Sequence, residues 1–337
     1  MNDILRWGIL GTGNIAGKFA HDLRAISDRC HLQAVGSRDL AKAQAFGAKH
    51  GAVDSHGSYQ EVLDNPQVDA IYISLLNHQH AQWAVAAAKA GKHILCEKPA
   101  TMSAAELTTV LAAVKAADVF FMEAYAYRCH PRYQRLRELL AENHIGEVRM
   151  MHATFCFDGS SLNRPRLFTA AHGGGGLMDV GVYPLSWLRW FGAGEPISAK
   201  ALGIKGASGV DEWASGVLRF ANHAIGSFAT AIRCGQPSSA VLYGSLGAIE
   251  VEEPWRCSAN AALVVQVPGK TPRRILHDDG LPLYAREALM VREHLQARQA
   301  PVCTWDDSLG GMRLLDELRH QLGVWWPGES KALPVAT

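Results

Sequence analysis

The chain has 337 residues, room for two domains, and its 48% apolar, 19% charged composition suits a core-forming protein rather than a disordered one. A formal net charge of +1 gives no electrostatic reason for nucleic acid or an anionic membrane as partner, and neither is expected. The seven cysteines include no C-x-x-C pair, which argues against a disulfide framework or a zinc site. Reduced thiols, with no leader-like start and no apolar run of membrane length, predict a cytoplasmic protein without a metal.

Residues 4–10 read as a mostly apolar strand that runs directly into Gly11-Thr12-Gly13-Asn14-Ile15-Ala16. Ile15, Phe19, Leu23 and Ile26 then recur at helical spacing. A second strand over 31–36 ends at Ser37-Arg38, and a helix over 40–50 follows. A third strand covers 68–76, a helix 79–90 stops at Gly91, and a fourth strand over 93–96 runs into Glu97-Lys98-Pro99. Ser103 and Glu106 are spaced as a capping box for a helix over 103–117, before a fifth strand at 119–122. This β-α alternation predicts a parallel, doubly wound sheet, whose ligands bind beyond the carboxyl ends of the strands.

The pattern changes after residue 125. A helix over 131–142 is followed by strand-like segments at 148–157, 214–220, 225–232, 240–244, 248–252, 262–267 and 273–277, several joined by tight turns. Two helices follow, at 283–297 and 307–322. The expectation is a dinucleotide-binding domain over 1–125, a second α/β domain with a large, mostly antiparallel open sheet over 126–325, and a tail over 326–337.

In the first turn, Gly11 permits a tight bend, Gly13 lets backbone approach a pyrophosphate, and the helix that follows offers free N–H groups to phosphate. Thr12, Asn14 and Ile15 belong to the same cradle. An NAD site usually has an acid about twenty residues on, where it meets the ribose. Here that place holds Ser37 and Arg38, with Lys42 following. A hydroxyl and a guanidinium suit a 2′-phosphate, so NADP is expected over NAD, which is also possible. Leu76, Asn77, His80, Glu97 and Lys98 follow strand ends and complete the predicted cofactor set, with Asn77 a candidate cap for its helix.

Oxidising an alcohol needs a group to take the hydroxyl proton. A free tyrosine titrates near pH 10, and a nearby ammonium favours its phenolate. Lys98 and Tyr183 are the candidate pair, with either one the proton-transfer group. Asp179, four residues before Tyr183, could hold a substrate hydroxyl, orient Lys98, or simply cap a helix. Arg128 and His130 are further substrate-side candidates, as are Asp158, Asn163, Arg164, Arg166 and His172 in the 158–172 loop. Glu123 could pair with Lys98 or Arg128. Trp187, Trp190 and Phe191 read as core aromatics.

These motifs together resemble the glucose–fructose oxidoreductase / inositol dehydrogenase (Gfo/Idh/MocA) family. The resemblance rests on Gly11–Ala16, Asn77-His78-Gln79-His80, Glu97-Lys98-Pro99, Met122-Glu123-Ala124-Tyr125, Gly175 through Pro184, and Tyr243 through Ile249. Arg128-Cys129-His130-Pro131 and Tyr183 resemble the branch of dimeric dihydrodiol dehydrogenases and NADP-dependent xylose dehydrogenases, whereas inositol dehydrogenases typically carry histidine where Tyr183 stands. The resemblance implies a Rossmann domain, a cis bond between Lys98 and Pro99, and a homodimer or homotetramer formed through the second sheet. It also implies hydride transfer between NADP and a CH–OH group of a small polyhydroxy substrate, an aldose at C1 or a trans-dihydrodiol. A dinucleotide-binding sensor of the same fold, without catalysis, is the alternative. Tyr284 and Glu287 fit the family's C-terminal pattern without an assigned role.

Overall fold

The computed structural model describes residues 4–162 and 164–329. Asn163 and the tail beyond 329 lie outside the described residues. Contacts divide the chain into two compact units: Met1–His130 with Gly280–Leu309, and Pro131–Asp279 with Gly310–Thr337.

The first unit alternates strand and helix in chain order: β1 (Leu5–Leu10), α1 (Asn14–Asp22), β2 (Cys30–Gly36), α2 (Leu40–His50), β3 (Asp54–His56), α3 (Tyr59–Asp64), β4 (Ala70–Ile73), α4 (Asn77–Lys89), β5 (His93–Glu97), α5 (Ala104–Ala116) and β6 (Phe121–Ala124). The strands form one parallel sheet in the order β3-β2-β1-β4-β5-β6, the dinucleotide-binding order. The order reverses at β1 and β4, the switch point beyond whose strand ends sheets of this kind bind ligands. Trp7 on β1, Phe19 on α1 and Tyr72 on β4 are fully buried. Trp7 meets Phe19 edge-on at 5.1 Å, and Phe19 stacks on Tyr72 at 4.1 Å, which presses α1 onto the sheet at that point. The α5 capping box is present: Glu106 N donates to Ser103 Oγ at 3.3 Å.

The second unit begins with α6 (Pro131–Ala141) and β7 (Val148–Asp158), then α7 (Val182–Phe191) and seven further strands: β8 (Ser198–Lys205), β9 (Asp211–Arg219), β10 (Ile225–Ala231), β11 (Arg233–Gly244), β12 (Ala248–Val251), β13 (Leu263–Gln266) and β14 (Arg273–Ile275). They form an eight-stranded sheet, β14-β13-β12-β11-β7-β10-β9-β8, antiparallel except for the β7–β10 pair. One face packs Met151, Ala153, Leu218, Phe228 and Leu242 inward, with α7 lying against β7 and β10. The opposite face leaves Met150, Leu202, Ile204, Trp213, Val217 and Tyr243 exposed.

The chain then returns to the first unit. α8 (Leu283–His294) buries Ala285, Ala288, Leu289 and Val291 against α1 and the turns at 23–26 and 126–129. By its contacts, 280–309 groups with the first unit, onto which the apolar face of α8 packs. The last helix is α9 (Trp305–Gln321).

Candidate functional site

In the first unit the chemistry-bearing residues gather at the carboxyl edge of the parallel sheet. Gly11 sits at φ +102°, where a side chain would be strained, and an added Cβ would lie 3.1 Å from Ser74 O. Gly13 is the N-cap of α1, exposed, with open space where a Cβ would stand. No side chain caps α1, and its first turn holds no acid. A helix N-terminus with free N–H groups and an open approach fits a pyrophosphate. Thr12, Asn14 and Ile15 line the same turn at partly or fully exposed positions.

At the end of β2, Ser37 is buried and its Oγ accepts from Asp39 N, while Arg38 is exposed. Asp39 caps α2 by accepting from Lys42 N at 3.2 Å, and it pairs with Lys42 Nζ at 3.5 Å. The nearest acid is thus committed to a helix cap, while the guanidinium of Arg38 stands in solvent.

After β4, Leu76 and not Asn77 is the N-cap of α4, and no side chain caps that helix. Asn77 is the first helical residue, so the cap assignment is corrected. His80 is fully buried, with Nδ1 2.9 Å from Pro99 O and Nε2 3.2 Å from Leu75 O. Burial lowers its pKa to about 4, so the ring is neutral. It ties the α4 turn to the Lys98–Pro99 segment. The Lys98–Pro99 bond is cis. Lys98 itself is half-buried at the end of β5. Glu97, beside it, points inward and accepts from Tyr72 Oη at 2.5 Å. Its carboxylate is thus held toward the interior.

Two further candidates are buried. Arg128 and His130 are each 2% exposed. The Arg128 guanidinium lies over the Tyr125 ring, donates to Val302 O at 3.0 Å and is paired with Asp307. Its charge is paired inside the first unit. Glu123, also buried, accepts from Ala100 N at 3.0 Å, and burial raises its carboxyl to about 7. Its acceptor role is to fix the segment after Pro99.

In the second unit the site is built on one continuous helical run. A widened, π-type turn at 177–181 leads into α7, and both Asp179 and Tyr183 lie on it, half-buried. Such turns recur at functional sites. Asp211 on β9, 1% exposed and distant in sequence, supports the start of this run: Leu177 N donates to its Oδ2 at 2.7 Å. Thr230 Oγ1 donates to Gly176 O at 2.9 Å from the neighbouring strand. The glycine run is explained by this approach. Gly175 has φ +113°, and a Cβ there would fall 2.4 Å from Asp211 Oδ1.

Asp179 Oδ1 accepts from Arg166 Nη1 at 2.7 Å, so the polar loop is anchored to the helix. That loop is seated by the buried cluster of Leu167, Val180 and Ile232, packed with Phe155, Phe157 and Phe168. Asp158 and Arg164 are exposed on the loop, and His172 is half-buried. The Tyr183 ring meets Phe155 at 5.2 Å and Trp255 at 5.8 Å, forming an aromatic cluster. Trp187 is fully buried and Phe191 nearly so, as core aromatics. Trp190 is half-buried against Tyr133 and Phe191. Sequence reading missed Asp211, Phe155 and Trp255; the glycine run at 173–176 was the only signal pointing toward Asp211.

Two profiles of one family match the chain: the Gfo/Idh/MocA oxidoreductase family, NAD-binding Rossmann fold, over residues 5–125, and the GFO/IDH/MocA C-terminal domain over residues 133–250. Among relatives, the trans-1,2-dihydrobenzene-1,2-diol dehydrogenase of Mus musculus is 34% identical, covering 97% of this chain and 99% of its own length. The Homo sapiens protein of that name is 31% identical over the same shares. Among solved structures, the aldose–aldose oxidoreductase from Caulobacter crescentus, complexed with glycerol, aligns with a TM-score of 0.84 at 25% identity, covering 95% of this chain and 97% of that one. A 3-ketoreductase from Actinomadura kijaniata, solved with NADP and TDP-benzene, shares the fold with a TM-score of 0.84 at 23% identity, covering 95% and 98%.

Proposed function

As the chain belongs to the Gfo/Idh/MocA oxidoreductase family, we propose that it is an NADP-dependent dehydrogenase acting on a ring CH–OH group, with Lys98 and Tyr183 handling the substrate proton. The observation that carries this reading is Lys98 at the carboxyl end of β5, on the same sheet edge as the uncapped N-terminus of α1. A bound nicotinamide would supply the hydride acceptor. The rest is done by side chains. The α1 N-terminus binds pyrophosphate, and Arg38 is available to pair with a 2′-phosphate, which favours NADP. Tyr183 or Lys98 takes the hydroxyl proton during oxidation and returns it during reduction. Asp179, held by Arg166, accepts from a neighbouring substrate hydroxyl.

The substrate is a trans-dihydrodiol or an aldose at C1. The aromatic cluster of Tyr183, Phe155 and Trp255 suits either kind of ring, since flat apolar rings and the C–H faces of sugars both pack on aromatic surfaces. A non-catalytic sensor would have no use for Lys98, Asp179 and Tyr183 together. We further propose that the exposed apolar face of the eight-stranded sheet joins copies of this chain into a homodimer or homotetramer. No disulfide joins the seven cysteines among the described residues, in keeping with the reducing cytoplasm, and no helix among those residues is long and apolar enough to cross a membrane.

The test is nicotinamide absorbance with NADP⁺ and then NAD⁺ against aldoses, inositols and dihydrodiols. Wild type turns over, and Lys98→Met loses about 10²-fold or more in kcat while still binding NADPH. Tight NADPH binding without turnover of any substrate would favour the sensor, and full activity in Lys98→Met would end the catalytic assignment.

A further inference from the structure

Between β12 and β13, residues 252–262 leave the sheet. Two residues of this segment, Glu253 at φ +42° and Cys257 at φ +52°, hold left-handed backbone. Residues other than glycine rarely adopt that region, and surrounding contacts must keep them there. Trp255 stands between the two, buried. Its Nε1 donates to Thr154 O at 2.9 Å on β7, two strands from β12 in the sheet order. Its ring stacks on Phe155 at 6.2 Å and meets Tyr183 at 5.8 Å. The segment therefore delivers one wall of the aromatic cluster.

What holds the segment comes from the first turn of α6, in the same unit. Arg132 and Tyr133 are both fully buried there. Arg132 Nη1 donates to Glu252 O at 2.9 Å and to Ala261 O at 3.0 Å, which closes the two ends of the segment on each other. Tyr133 Oη donates to Pro254 O at 2.6 Å, next to Trp255. The Tyr133 ring lies 5.8 Å from Trp190 and 6.4 Å from Phe191 on α7, the helix that carries Tyr183. One side chain thus touches both bodies that meet at the Trp255–Tyr183 contact. Inside the segment, the buried Cys257 thiol also donates to Pro254 O, at 3.5 Å.

We infer that Arg132 and Tyr133 are positioning residues for Trp255, locking the 252–262 segment so that the indole stays against Tyr183 as a fixed wall for the substrate ring. Arg132 closes the strained backbone on either side of the indole, and Tyr133 ties that backbone to the helix opposite. The part played toward substrate rests on the proposed function; the lock rests on the hydrogen bonds alone.

The experiment uses Tyr133→Phe, which removes one hydroxyl and keeps the packed ring, so the fold should persist. The Cys257 thiol reports on the lock. Iodoacetamide labelling of the full chain is read at each cysteine by peptide mass spectrometry. It should run about tenfold faster at Cys257 in Tyr133→Phe than in wild type, with Cys156 on β7 unchanged. A Cys257 rate that holds, or rises only in step with Cys156, overturns the lock. With a trans-dihydrodiol or aldose that wild type turns over, Tyr133→Phe should raise the substrate KM about fivefold and leave KM for NADP⁺ in place. In a Trp255→Leu background the same change should add nothing, because the residue it acts through is gone. Faster labelling with the substrate KM unmoved, or effects that multiply in the double variant, overturns the link to Trp255. A wild type without turnover would instead fail the proposed function, and the labelling would still decide the lock.

Discussion

Replacing Gly175 with alanine isolates the support of the helix that carries Asp179 and Tyr183. The residue sits at φ +113°, a conformation that costs a side chain about 1–3 kcal/mol. The new Cβ would also fall 2.4 Å from Asp211 Oδ1 and 3.4 Å from Val210 Cβ. Asp211 is buried and held by Leu177 N, so it can yield only by giving up that hydrogen bond, and such overpacking adds about 1–3 kcal/mol. Alanine recovers about 0.4–1 kcal/mol through the less flexible unfolded chain. The net loss is about 3 kcal/mol, or roughly 6–12 °C in the melting of the second unit. Thermal melts read this directly, and kcat should fall with it because the first turn under Asp179 and Tyr183 loosens. NADPH affinity, set by the α1 turn, should hold. Gly13→Ala is the counterpart: its Cβ meets nothing within 4 Å, so melting should hold while NADPH affinity falls. A Gly175→Ala protein that melts with wild type would refute the argument that Asp211 and the glycine run form one close-packed support.

Burial raises the Asp211 carboxyl to about 6 from its ordinary 3.8, so its contribution is complete below that ordinary value and is lost as pH rises through 6. Asp211→Asn does not titrate and keeps an acceptor for Leu177 N. It should gain about 2 kcal/mol on wild type between about pH 4 and about pH 7, read from urea midpoints. Arg38→Ala should raise KM for NADP⁺ about tenfold or more while leaving KM for NAD⁺ nearly unchanged, and equal effects on both would refute the 2′-phosphate reading. Leu202 is 85% exposed on the open sheet face, so Leu202→Glu should leave folding intact and lower the mass seen by light scattering to that of one chain. An unchanged mass would remove that face as the interface.

The parallel alternation of the first unit was legible because its period is local. Phe19 and Leu23 face the core one turn apart, and the Ser103–Glu106 box closes within a single turn, so neighbouring residues carry the information. β3 and α3 escaped because three residues, Asp54–His56, are too few to show alternation and the helix after them spans only six. β8 escaped because its exposed positions include Leu202 and Ile204, so neither face reads as polar.

The glycine turn, the Glu-Lys-Pro strand end and the Asp-x-x-x-Tyr spacing are written in consecutive residues, and the sequence by itself determined the family, the doubly wound sheet and the candidates Lys98, Asp179 and Tyr183. Which of the polar candidates face solvent was decided only by tertiary structure. Arg128, His130 and His80 look like ligands in the sequence, yet each is buried against groups that no local pattern names, such as Asp307 and Pro99 O. Asp211 and Leu177 are brought together by packing across a long stretch of chain. Periodicity reports the face a residue prefers, but the partner it meets there depends on how distant elements pack, and that partner decides whether a charge is catalytic, structural or neutral.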